Sequence, residues 1–152
     1  MIQLRHSGLY VNNLDVESNF YMTVFKMHAL CEHSVQRDDL INELLQTDGY
    51  VEITKLITDQ GAEDAYDDMI ELIQAFSDGK GNHSGGHGNS WVSECGVFHL
   101  AFGVDDLQYT VSAIQENGGA LITSVHEMPN GKACFFARDP ESNYIEIIGK
   151  RE

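Results

Sequence analysis

Two histidines and two glutamates recur at matched places in this 152-residue chain. His6 opens the run His6-Ser7-Gly8-Leu9-Tyr10-Val11-Asn12-Asn13-Leu14, and His99 opens His99-Leu100-Ala101-Phe102-Gly103-Val104-Asp105-Asp106-Leu107. The offset is 99 − 6 = 93, and Val11 to Val104 and Leu14 to Leu107 repeat it. Val51-Glu52-Ile53 answers Ile145-Glu146-Ile147 at 146 − 52 = 94. Both glutamates sit among apolar residues, where a buried carboxylate is costly unless it is paired or bound to a metal. Two imidazoles and two carboxylates suit a borderline divalent ion such as Ni, Co, Zn, Mn or Fe(II). Such a set leaves room for two waters or for a substrate that chelates through adjacent oxygens.

The elements that must position these residues follow from periodicity. Leu4 to Val11 reads as a strand, with His6 sharing a face with Leu4, Gly8 and Tyr10. Asp15 is a candidate cap for a helix whose apolar face is Val16, Phe20, Val24 and Met27. Leu40 to Gln46 and Tyr50 to Ile57 flank Thr47-Asp48-Gly49 as a hairpin would. Tyr66, Met69, Ile70, Ile73 and Phe76 form an apolar stripe, and the spacing predicts a helix over Ala62 to Phe76 with an acidic face of Glu63, Asp64, Asp67, Asp68 and Glu71, read as solvated surface. Ser77 to Ser90 is a Gly-, Asn- and His-rich loop by composition.

From Val97 the opening pattern returns. Phe98 to Val104 reads as a strand, and Asp106 caps a helix that runs to about Asn117, where Gly118-Gly119 ends it. Strands follow at Ala120 to Met128, Cys134 to Ala137 and Tyr144 to Ile148, with Pro129-Asn130-Gly131 as a turn. Each half is strand, helix, then three strands. The expected fold class is therefore α+β: two tandem βαβββ modules, residues 1–61 and 97–152, with a helical insertion over 62–96.

Composition excludes several classes. The net charge of −15 repels a phosphate backbone, so nucleic acid is not a partner to expect. No run reaches the roughly 18 apolar residues of a membrane span. Met1 to His6 lacks the start of a signal peptide, and three unclustered cysteines fit a reducing compartment, so the expected setting is cytoplasmic.

The layout resembles the vicinal oxygen chelate superfamily, and within it the glyoxalase I branch. The residues that carry the likeness are His6, Val51-Glu52-Ile53-Thr54, Val97-Phe98-His99-Leu100-Ala101-Phe102 and Asp139-Pro140-Glu141-Ser142-Asn143-Tyr144-Ile145-Glu146. The resemblance implies cupped mixed sheets with helices outside and one divalent metal ion held by His6, Glu52, His99 and Glu146. It also implies a lyase or isomerase that turns the hemithioacetal of a 2-oxoaldehyde and a thiol into a 2-hydroxyacyl thioester, through a metal-stabilised enediolate. Glu146 is then the proton-abstracting base, Glu52 its partner carboxylate, and a homodimer is implied as well. Where that branch carries an arginine four residues after the first ligand, this chain has Tyr10, so the thiol carrier stays open. Where it carries a glycine before the last strand, this chain has Ser142.

Other readings stand beside this one. An epimerase, an Fe(II) extradiol dioxygenase and a non-catalytic drug-binding resistance protein share the fold. His83 and His87 read as part of a solvated loop, because glycine-rich backbone does not fix ligand geometry. Trp91 either lines the substrate pocket with Tyr10 or anchors the insertion.

Overall fold

The computed structural model describes residues 5–45, 49–63, 68–77, 97, 99–129 and 131–150. The chain divides into two compact units, residues 1–22 with 26–85 and residues 23–25 with 86–152.

The first unit is a mixed four-stranded sheet. Its strands are β1 (Ser7–Tyr10), β2 (His28–Gln36), β3 (Gly49–Ile57) and β4 (Met69–Ser77), in the order β1-β4-β3-β2. The closing strand β4 runs parallel to β1 and antiparallel to β3. Helix α1 (Leu14–Phe25) connects β1 to β2. Its cap is Asn13, whose side-chain oxygen accepts the Val16 N–H at 3.1 Å, while Asp15, expected as the cap, lies in the first turn. The Leu14 N–H donates to Gln74 Oε1 at 3.3 Å, so α1 lies on the Gln74 face of the sheet. Leu56 and Leu72, fully buried, share that face with Gln74 through the register Thr54↔Leu72 and Leu56↔Ile70. Each such side chain stabilises the fold by roughly 1.5–3 kcal/mol.

Two short helices replace elements expected from sequence. Leu40 to Leu45, from the hairpin strand read over Leu40 to Gln46, belong to helix α2 (Asp39–Leu45), started by Asp38, which accepts the Ile41 N–H at 2.9 Å. Ile41 then packs on Val51 and Ala75, on the face of the sheet away from α1. Among the described residues of the helix expected over Ala62 to Phe76, Ala62 and Glu63 are helical, at the end of α3 (Asp59–Glu63), and Met69 to Phe76 belong to strand β4 (Met69–Ser77). The segment 62–96, read as an insertion, therefore supplies the strand that closes the first sheet. The physical reason is that β4 lies between two strands and is mostly buried on both faces. Such a strand loses the apolar–polar alternation and cannot be told from a buried helix by period.

The second unit repeats the plan. Strands β5 (Leu100–Val104), β6 (Ala120–Leu121), β8 (Lys132–Arg138) and β9 (Tyr144–Lys150) lie in the order β5-β9-β8-β6, and β7 (His126–Glu127) also pairs with β8. The strand expected over Ala120 to Met128 is thus two short pieces. Helix α4 (Leu107–Glu116) is capped by Asp106, whose carboxylate accepts the Tyr109 N–H at 2.8 Å, as expected. The βαβββ order and the α+β class hold in both halves. No helix among the described residues is long and apolar enough to cross a membrane.

Two backbone details fix the last strand. Gly149 faces α4, where an added Cβ would lie 2.6 Å from the Val104 carbonyl oxygen and 3.0 Å from Leu107 Cγ. The turn into β9 holds Ser142 at φ +73°, in the left-handed region that favours glycine. Buried Asp139 ties that turn down by accepting the backbone N–H groups of Glu141 (3.1 Å) and Asn143 (2.7 Å) and the Asn143 side-chain amide (2.8 Å). Gly149→Ala is expected to cost roughly 1–3 kcal/mol of unfolding free energy in urea denaturation, from overpacking against backbone. Ser142→Gly is expected to leave stability unchanged or raise it by up to about 1 kcal/mol, as relieved strain offsets the entropy of the new glycine.

Candidate functional site

The closing strand of each sheet carries a glutamate opposite the first strand. In the second unit Ala101 pairs with Glu146, two residues after His99. Strand alternation then puts His99 on the Glu146 side, and its Nε2 lies 3.2 Å from Glu146 Oε2. The edge of the His99 ring meets Phe136, with centroids 5.2 Å apart. The face is the one away from α4, because Gly149, which touches Leu107, is of the opposite parity to Glu146.

The first unit shows the same construction with a different glutamate. Gly8 pairs with Glu71, two residues after His6, and His6 Nε2 lies 3.3 Å from Glu71 Oε2. The other Glu71 oxygen takes an ion pair from Lys55 Nζ at 2.8 Å, directly across the β3–β4 ladder. Glu71 is buried at 7% exposure, so its charge is sustained by these two partners. Tyr10 belongs to the same face of β1 by alternation and is exposed.

Glu52, expected beside His6, is elsewhere. It pairs in register with Gln74, on the face that α1 covers, whereas Glu71 is of the opposite parity. A shift of one residue along a strand moves a side chain to the other face. Glu52 instead accepts a hydrogen bond from His33 Nδ1 at 2.8 Å, and His33 Nε2 meets Asp15 Oδ1 at 3.0 Å. His33 reaches inward because β2 slips register between Cys31 and Ser34 and His33 takes φ +48°. The ring can donate to both carboxylates only as imidazolium. The hydrogen bond to Glu52, then that to Asp15, raises the His33 pKa above 6.5.

The sequence signal for Glu71 was present. Ile70-Glu71-Leu72-Ile73 matches Ile145-Glu146-Ile147-Ile148 more closely than Val51-Glu52-Ile53-Thr54 does. The offset there is 146 − 71 = 75, and it departs from 93 because the first unit is longer between its outer strands. Trp91, His83 and His87 lie outside the described residues. Among the described residues no group of three or more His, Cys, Asp or Glu is placed to hold a metal ion. Among the described residues, His6–Glu71 lies on the face of the first sheet away from α1, and His99–Glu146 on the face of the second sheet away from α4.

Residues 3–147 match the Glyoxalase/Bleomycin resistance protein/Dioxygenase superfamily. The chain belongs to that superfamily. A lactoylglutathione lyase of Haemophilus influenzae is 27% identical over 149 residues, which are 97% of this chain and 92% of that one. Among solved structures, a glyoxalase family protein of Bacillus cereus superposes with a TM-score of 0.79 at 16% identity, covering 100% of this chain and 96% of its own. A fosfomycin resistance protein of Listeria monocytogenes gives 0.59 at 14% identity, covering 99% and 95%. Superfamily membership thus agrees with the sheet order, in which the last strand of each unit pairs in parallel with the first.

His33 makes a pH prediction. A pKa raised on folding contributes stability that is fully present below the unfolded value of 6.5 and is lost as pH rises through the folded value. The stability gap between wild type and His33→Gln is therefore expected to be widest near about pH 5.5–6.5 and to narrow toward about pH 8–9. Chemical denaturation across that range checks it, and a gap that widens upward contradicts the clasp.

Proposed function

We propose that this chain is a metal-dependent lyase or isomerase of glyoxalase I type. The donor pairs in this reading are His6 with Glu71 in the first unit and His99 with Glu146 in the second. The observation that carries this reading is the repeated distance between imidazole nitrogen and carboxylate oxygen, 3.3 Å and 3.2 Å. Charge-assisted N–H···O bonds close to about 2.7–2.9 Å, as the His33–Glu52 contact does at 2.8 Å. Two donor atoms each about 2.1 Å from one ion, at an angle near 100°, lie about 3.2 Å apart. The donor chemistry also fits, since imidazole and carboxylate together suit Ni, Co, Zn, Mn or Fe(II). The lactoylglutathione lyase relative supports the choice of reaction.

When bound, such an ion would polarise two adjacent oxygens of a substrate and ease loss of the neighbouring proton. The residues divide the remaining work. Lys55 holds Oε1 of Glu71 and leaves Oε2 toward His6, so Oε2 is the oxygen that Glu71 would offer an ion. Glu146 has no Lys or Arg partner among the described residues, so its carboxylate is free to swing toward a C–H proton within hydrogen-bond reach. Phe136 packs against His99 in an edge-to-face contact that helps hold the imidazole in place. Glu146 thus remains the base, and Glu71 takes the place first read for Glu52. As implied by the resemblance, the reading includes a homodimer and a cytoplasmic setting.

The test is metal content and turnover in four proteins. Glu71→Gln, His99→Ala and Glu146→Gln are expected to lose bound metal after dialysis, whereas Glu52→Gln retains it. With methylglyoxal and a panel of thiols, thioester formation should fall by about 10²–10⁴-fold in Glu146→Gln, the range for loss of a general base. Metal retention in Glu71→Gln with loss in Glu52→Gln would restore the other glutamate. No turnover with any thiol would remove the hemithioacetal substrate.

A further inference from the structure

One cation beside His99 and Glu146 has no role in the chemistry above. Arg138 ends β8 and pairs in register with Tyr144 of β9. The next rung of the same face is Phe136 paired with Glu146. Arg138 therefore stands on the His99–Glu146 face, one rung along, roughly 6.5–7 Å away by strand rise. The ladder on that side of β9 is uncrowded, since Ala101 and Gly103 of β5 are small and exposed.

The side chain is held ready. Its Nη2 donates to the Tyr144 hydroxyl at 2.7 Å, and the guanidinium carbon lies 4.9 Å from the Tyr144 ring centroid. Arg138 is half-buried, and no carboxylate pairs with it among the described residues. Its Nε–H is buried and has no hydrogen-bond partner among the described residues. This is unusual in a chain with 24 acidic residues against 9 basic ones. A guanidinium has five donors in a planar fork matched to a carboxylate, and among the described residues Nη2 is the donor in use. A buried donor without a partner costs free energy that an incoming acceptor would recover.

We propose that Arg138, oriented by Tyr144, is the binding subsite for a carboxylate of the substrate. The substrate class is then a short acid whose chelating oxygens and remote carboxylate are separated by about one strand rung, roughly 6–7 Å. This rests on the metal-chelate reading for the position of the reacting oxygens. Tyr10, on the first unit, takes no part in it.

Two five-carbon probes share a chelating 2-oxo acid end and differ only at the far carbon: 2-oxoglutarate and 2-oxopentanoate. Each is titrated into Zn(II)-loaded protein by calorimetry and by NMR of the Arg138 Nε–H. Wild type is expected to bind 2-oxoglutarate at least about tenfold more tightly, the scale of one charge-assisted contact, with a shift of the Arg138 resonance by that probe alone. Arg138→Met should bind both probes equally, with its Zn(II) content unchanged. Tyr144→Phe, the milder variant, should reduce the preference about threefold or more. Equal binding by wild type, a preference that persists in Arg138→Met, or no binding of either probe to Zn(II)-loaded protein overturns the subsite. Failure of the metal reading is separate: Zn(II) would not be retained. The NMR titration is then read on metal-free protein, where a response of Arg138 to 2-oxoglutarate alone still supports the subsite and any other response overturns it.

Discussion

The structure depends on one closure made twice. The last strand of each unit returns to lie parallel beside the first, at Gly8↔Glu71 and at Ala101↔Glu146. A parallel pair needs a long crossover, and the helix with its intervening strands supplies it. The closure sets the parity of every residue on the outer strands. It puts the helix-facing Ile145, Ile147 and Gly149 in one core and leaves Glu146 and His99 on the other side. A carboxylate in the middle of such a sheet survives only because an imidazole, and in one unit a lysine, meets it.

The two halves are alike in backbone and unlike in charge. Glu71 is clamped between His6 and Lys55, while Glu146 faces His99 and a ring edge. The second unit also has Arg138 and Tyr144 one rung from its glutamate. Equivalent positions of the two sheets therefore hold carboxylates in different surroundings, set by the residues at neighbouring rungs. The carboxylate held by a lysine is suited to fixed ligation, and the one without is suited to moving a proton.

Much of this was legible in the chain. The 93-residue repeat located both histidines, both first strands and the Asp106 cap, because those features depend on short local patterns. Glu146 was legible because β9 follows a recognisable turn at Asp139-Pro140. Glu71 was hidden because Met69–Phe76 is nearly all apolar, and its residues satisfy a 3.6 period as well as a 2.0 period. The local likeness of Val51-Glu52-Ile53 to the last strand then placed the carboxylate one strand too early, on the face that α1 covers. Asn13 rather than Asp15 capped α1, a difference of two residues that sequence rarely resolves when several cap-forming side chains adjoin. The surroundings of Arg138 were not legible, since the partners of its guanidinium are known only once strands are paired.

The span of the closure has a thermodynamic consequence. His6 and Glu71 are 71 − 6 = 65 residues apart, and His99 and Glu146 are 146 − 99 = 47 apart. Neither pair exists until the whole of its unit has formed, so the unfolded chain offers no preassembled pair of donors. Any ligand that bridges such a pair binds the closed sheet and not the open chain. By mass action it adds about 2.7 kcal/mol to stability at a hundredfold excess over its Kd. Occupancy by such a ligand and completion of the fold would then be one linked equilibrium, with the ligand acting as a clasp on the last strand.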